Sequence, residues 1–269
     1  MTRITPLTEN SVYEKGFTLV EMAMVLAIVA LLLTGLVPTI SSQLEQRKIS
    51  ETKSKLSEIQ QALIGFALIN GRLPCPAQSS IATGAAYAGI EATKDNTCAC
   101  VTAGGGVASA DASRVACTAT SVTGVLPWAT LGISETDGWN HRFTYRVTTR
   151  FADEIAEGTT DCSPAITAPS ASSFALCSPG VPDILVAAGG TTISADVPAV
   201  FISHGINGAG AFDSRGVQLA VSSNSDEIEN SDNDGEFVSH EFTTGYDDLL
   251  GWISPSILFS KMVSAGKLP

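Results

Sequence analysis

At 269 residues the chain is long enough for one domain of ordinary size plus an appendage. Its formal charge of −12 argues against a nucleic-acid face without excluding a local basic patch, and nucleic acid is not an expected partner. Charged residues are only 16 % and the mean hydropathy is positive, an excess that sits mostly near the N-terminus.

Residues 1–16 are polar, with no periodic apolar face. Phe17 to Ile40 is then apolar throughout apart from Glu21 and a few hydroxyls. A helix rising about 1.5 Å per residue over that run crosses a hydrocarbon core of about 30 Å. The run exceeds the roughly 7–15 apolar residues of a secretory signal and carries a carboxylate near its start. Helical spacing continues beyond it, with Leu56, Ile59, Leu63 and Phe66 on one face and Glu51 placed to pair with Lys55. Gly71 and Pro74 end the helix. One helix from Phe17 to about Asn70 would be roughly 80 Å long, transmembrane in its first half (17–40) and amphipathic in its second (41–71). Pro38, three residues after Gly35, is expected to kink or locally melt it.

From Gly71 onward, short apolar runs alternate with Gly, Ser, Thr, Asp and Pro. Residues 76–124 read as loop with at most short elements. His141–Phe151 alternates, with Phe143, Tyr145 and Val147 on one face, and reads as a strand. Ile184–Ala188, Val197–Ser203, Phe237–Phe242 and Asp248–Ile253 are further strands, and Ser256–Ala265 is a helix stopped by Gly266. The fold class is therefore α+β: a long N-terminal helix packed on a C-terminal antiparallel sheet in a head of residues 72–269. Six cysteines, Cys75, Cys98, Cys100, Cys117, Cys162 and Cys177, all lie in that head. Their even count in an irregular region reads as disulfides of an oxidising compartment, with Cys162–Cys177 the favoured pair and the rest open.

The string Lys15-Gly16-Phe17-Thr18-Leu19-Val20-Glu21, set directly against the apolar run, resembles the prepilin signal of type IV pilins and type II secretion pseudopilins. The resemblance covers residues 15–40 closely and continues loosely to about residue 71. It implies cleavage between Gly16 and Phe17 by a prepilin peptidase, which then N-methylates Phe17. Partners would be that enzyme, the inner membrane and other pilin or pseudopilin subunits. Glu21 would pair with the Phe17 amine of a neighbouring subunit, and Pro38 stands where family members commonly carry a helix-breaking proline. The head, with Leu126-Pro127-Trp128, Leu131-Gly132, Asp137-Gly138-Trp139-Asn140 and Tyr145, resembles that of type II secretion pseudopilins, although Asn140 replaces the usual glycine. A head of about 198 residues is large for a major subunit, which favours a minor pilin or pseudopilin, bitopic in the inner membrane with its head in the periplasm before assembly. The alternative is an anchored binding module, a tip adhesin whose face is built from the cysteine loops at 75–117 and 162–177.

Asn230, Asp232 and Asp234, with Gly235 and then Glu241, approach the spacing of a calcium loop, so calcium is the one candidate cofactor. Cys98-Ala99-Cys100 with Cys117 lacks zinc-ligand spacing. Ser203-His204-Gly205 and Asn207-Gly208-Ala209-Gly210 fit turns after a buried strand better than a hydrolase motif. His141 and His240 read as ordinary strand residues. No catalytic constellation is evident, and the expected role is structural, not enzymatic.

Overall fold

A computed structural model describes residues 16–94, 97–100, 115–116, 120–153 and 172–268, with the backbone alone at 33–41, 94, 100, 115 and 116. The chain forms two compact units, Met1–Arg47 and Lys48–Pro269. Helix α1 (Leu19–Asn70) begins in the first and ends in the second. Helix α1 runs through Pro38 unbroken, so of the two expectations there, a kink or local melting, the melting is not observed. A proline removes one backbone bond, and the turns on either side keep propagating. Among the described residues no helix is long and apolar enough to cross a membrane. Of the apolar run, side chains are described only through Leu32, about 16 residues from Phe17, short of the roughly 20 a span requires. These are exposed in the N-terminal unit, Phe17 to 82 % and Leu19 to 87 %.

Beyond α1 come β1 (Thr93–Lys94), β2 (Thr97–Cys100), β3 (Val115–Ala116), β4 (Ser121–Val125), α2 (Trp128–Leu131), β5 (Thr144–Thr148), α3 (Thr149–Ala152), β6 (Asp183–Leu185), β7 (Thr192–Ser194), β8 (Ala199–Ser203), α4 (Ser225–Glu229), β9 (Glu236–Val238), β10 (Leu249–Trp252) and α5 (Pro255–Ser264). The central sheet is antiparallel, in the order β10-β8-β5-β4. A second sheet, β7-β6-β9, contains the parallel pair β6–β9, so the head is not purely antiparallel. The third, β1-β2-β3, is short and antiparallel. The expected strands are all present but shorter, and His141–Phe151 yields to the α3 turn after Thr148. The region read as loop contains β4.

The head section of α1 covers the central sheet. Leu56, Ile59, Leu63 and Ala67 are buried against Phe143, Tyr145, Val147 and Phe201 in one core. Fully burying such a leucine or isoleucine contributes about 1.5–3 kcal/mol. Phe66 sits at the edge of this stripe, half-buried beneath the Arg72 guanidinium. On the polar side Lys55 reaches Glu51 at 2.8 Å and donates to the Thr136 carbonyl at 2.9 Å. Gly71, at φ 75°, takes the left-handed conformation that stops the helix, its N–H bonding the Ala67 carbonyl. Helix α5 adds Leu258 and Met262 to the same core, and Phe259 joins a cluster with Phe151 and Phe174.

Cys75 and Cys98 form a disulfide that ties the segment after α1 to β2. Cys177 is also disulfide-bonded. The favoured partner, Cys162, lies outside the described residues, as do Cys117 and the side chain of Cys100.

Candidate functional site

Gly16, Phe17 and Thr18 lie outside regular structure, and α1 starts at Leu19. Thr18 and Glu21 bond reciprocally: the Glu21 N–H donates to Thr18 Oγ1 at 3.2 Å, and the Thr18 N–H donates to Glu21 Oε2 at 3.0 Å. The Thr18 hydroxyl adds a bond of 3.0 Å to the same carboxylate oxygen. This is a capping box, in which an N-cap threonine and a glutamate three residues later satisfy each other's orphan N–H groups. The pattern Thr-x-x-Glu before an apolar run carries it in the sequence, where Glu21 was read only as an assembly residue. A Cβ built on Gly16 would meet nothing within 4 Å. Gly16 and Phe17 therefore lie just ahead of the helix, and Glu21 lies in its first turn. Pro38 lies two residues before the end of the apolar run, and only its backbone is described.

The head contains a second constellation. Strand β8 runs fully buried into His204, after which Gly205, Gly208 and Gly210 adopt positive φ. The turn reading of this stretch holds, and the turn has a use. A Cβ on Gly205 would collide with the Asp247 carbonyl, so only glycine lets the chain pass there. Helix α4 is capped by Asn224, whose side chain accepts from the N–H groups of Asp226 and Glu227. Glu227 is thereby aimed inward, 1 % exposed. Asp247 and Asp248 enter just ahead of β10.

One oxygen from each of Glu227, Asp247 and Asp248 lies within 4.8 Å of the others. Asn207 organises two of them, donating from Nδ2 to both Glu227 oxygens at 2.9 and 3.1 Å and from its backbone N–H to Asp247 Oδ2 at 3.0 Å. Asn230 Nδ2 donates to Asp248 Oδ2 at 2.8 Å. Three buried atoms facing this cluster have no partner: Asp247 Oδ1, Asp248 Oδ1 and His204 Nδ1. The last two are 3.8 Å apart. Among the described residues no lysine or arginine forms an ion pair with these carboxylates.

Burial holds the Asp248 carboxyl well above the usual aspartate range; the Asn230 hydrogen bond opposes this, and the Glu227 and Asp247 charges add to it. Asp247 is raised as well, first by burial. Burial, with His141 nearby, lowers His204 to about 4, so its ring is neutral at neutral pH, and Nε2 lies 2.8 Å from Thr144 Oγ1. Three hard oxygen donors without a cationic neighbour are the chemistry that a divalent cation neutralises. Calcium takes about six to eight oxygen ligands at 2.3–2.6 Å, and these three carboxylates could supply part of such a shell.

The calcium loop expected from the sequence is not gathered. Asn230 turns inward and its Oδ1 accepts the Val238 N–H at 2.8 Å. Asp232 and Asp234 spend an oxygen each on the N–H two residues ahead, at 3.2 and 2.9 Å. They group with Glu229, while Glu241 is exposed elsewhere. A cavity of about 200 Å³ includes Thr144, His204, Phe212, Gln218 and Phe237 in its lining, while much of the binding face expected at 75–117 and 162–177 lies outside the described residues. His141 Nδ1 lies 3.1 Å from the Gly205 carbonyl, and His240 stacks on Tyr246.

Residues 12–37 match a family model described as the prokaryotic N-terminal methylation motif. No curated protein and no solved structure matches the chain.

Proposed function

We propose that this chain, which carries the prepilin signal of type IV pilins and pseudopilins, is a structural subunit of a type IV pilus or type II secretion pseudopilus. A prepilin peptidase cuts between Gly16 and Phe17 and methylates the new Phe17 amine. The run Phe17–Ile40 holds the subunit in the inner membrane, with its head in the periplasm, until α1 packs among other subunits in the filament. The size of the head favours a minor subunit. The observation that carries this reading is the motif match over residues 12–37, together with a helix that begins just past the expected cut.

The new α-amine has a reference pKa near 8 and is cationic at neutral pH. A carboxylate deep in a bilayer costs about 2.5–3.5 kcal/mol on insertion scales. Thr18 supplies Glu21 with hydrogen bonds but no opposite charge; the Phe17 amine of an adjoining subunit supplies it. Glu21→Val should still be processed in part and fail to enter filaments. The check is immunoblotting of sheared filament and membrane fractions, and normal incorporation would contradict the pairing.

A second reading concerns the head. The partnerless oxygens of Asp247 and Asp248 favour a calcium ion held by Glu227, Asp247 and Asp248, with Asn207 and Asn230 orienting the carboxylates. The ion would lock the loop after β8, helix α4 and the approach to β10 together, a structural and not a catalytic role.

A further inference from the structure

The prepilin signal is also a helix-start signal, and the two meet at one threonine. The first hydrogen bond of α1 runs from the Met22 N–H to the Thr18 carbonyl at 3.2 Å. With the helix starting there, the carbonyls of Gly16 and Phe17 lie upstream of the intrahelical ladder. Had the helix begun one turn earlier, the Gly16 carbonyl would accept the Val20 N–H, four residues on. A carbonyl engaged in that way, on a coiled backbone, is a poor target for a peptidase, whose groove must approach both faces of an extended peptide.

The residues that hold the start in place are Thr18 and Glu21, through the reciprocal bonds of 3.2 and 3.0 Å. Apolar Phe17 and Met22 also occupy the N′ and N4 positions of a hydrophobic staple around that box. Apolar, helix-favouring residues such as Leu19, Met22 and Ala23 follow at once and form a nucleus from which turns can propagate toward the N-terminus unless a cap stops them.

We propose that Thr18 is a positioning residue for processing: its capping box with Glu21 starts α1 two residues past the scissile bond and leaves the Gly16 carbonyl free for attack. The inference rests on the prepilin reading. The step is hydrolysis: water adds across the Gly16–Phe17 amide, the C–N bond breaks, Gly16 keeps the new carboxylate and Phe17 takes the proton as an ammonium. The box acts before that step. It assigns Glu21 two separable duties, since glutamine at this position retains a capping box and lacks the charge.

The test is the initial rate at which purified prepilin peptidase cleaves the full-length precursor in detergent micelles. Thr18→Ser and Thr18→Asn, good N-caps, should be cut like the parent. Thr18→Ala and the near-isosteric Thr18→Val should be slower by about fivefold, the ratio that loss of a cap produces. Backbone chemical shifts of the Thr18→Ala precursor should move the helix start upstream to Gly16 or Phe17, a change that loss of a direct enzyme contact would not cause. Glu21→Gln should be cleaved at the parental rate and yet be excluded from filaments. If Thr18→Val is cut as fast as the parent, or Thr18→Asn as slowly as Thr18→Ala, the capping role is overturned. If the parent itself is not cut, the prepilin reading fails, a different outcome from a flat Thr18 series.

Discussion

Calcium added to the head unit, Lys48–Pro269, should raise its melting temperature, and the size of the rise follows from the cluster of Glu227, Asp247 and Asp248. A ligand present at 100 times its dissociation constant stabilises the folded state by about 2.7 kcal/mol. For a unit of this size each kcal/mol shifts the melting temperature by about 2–4 °C, so saturating calcium should add about 5–11 °C. Asp247→Asn should abolish the shift while leaving the metal-free melting temperature unchanged or higher, because a half-buried carboxylate beside Glu227 is replaced by a neutral amide.

The pH dependence has a sign. In the metal-free head the raised Asp248 carboxyl keeps a proton that the unfolded chain has already released. Stability therefore falls as pH rises from the ordinary aspartate value through the folded one. Calcium competes with that proton, so the calcium-induced rise should grow over the same window. His204, lowered to about 4, stays neutral through the upper part of it. Differential scanning fluorimetry across pH, with calcium or with chelator, reads both effects. No shift at millimolar calcium, or an equal shift in the Asp247→Asn variant, would refute the cation site.

Leu63 is fully buried between α1 and the central sheet, so Leu63→Ala should cost about 2–5 kcal/mol in urea unfolding of the head unit, whereas Ile69→Ala, at a site 77 % exposed, should stay within about 0.5 kcal/mol. Replacing Cys75 and Cys98 by serine should cost about 3 kcal/mol, the chain entropy released by opening a loop of 23 residues, read by the same unfolding assay.

The parts of the fold written locally were readable. The face of Leu56, Ile59 and Leu63 and the alternation of Phe143, Tyr145 and Val147 named one core before its geometry was known. Strand β4 was hidden because Ser121, Thr123 and Gly124 offer little apolar signal. Gly124 is there because a Cβ would come within 2.6 Å of the Ala77 carbonyl, and that contact is long-range. The acidic cluster was hidden for the same reason, since Glu227 comes from a helix and Asp247 from a loop twenty residues on. In the Asn230–Asp234 run the spacing of a calcium loop coincides with that of a turn, in which Asp232 and Asp234 each accept the N–H two residues ahead. At the N-terminus the methylation motif was legible, but the same letters also spell a capping box, and one meaning masked the other.

Intact-mass and N-terminal peptide mass spectrometry of the mature protein, from a host with an active prepilin peptidase, bears most directly on the whole account. A first residue of N-methyl-phenylalanine at position 17, with the sixteen residues before it gone, is the expected result. A chain that still carries those sixteen residues, or an unmethylated start elsewhere, would contradict it.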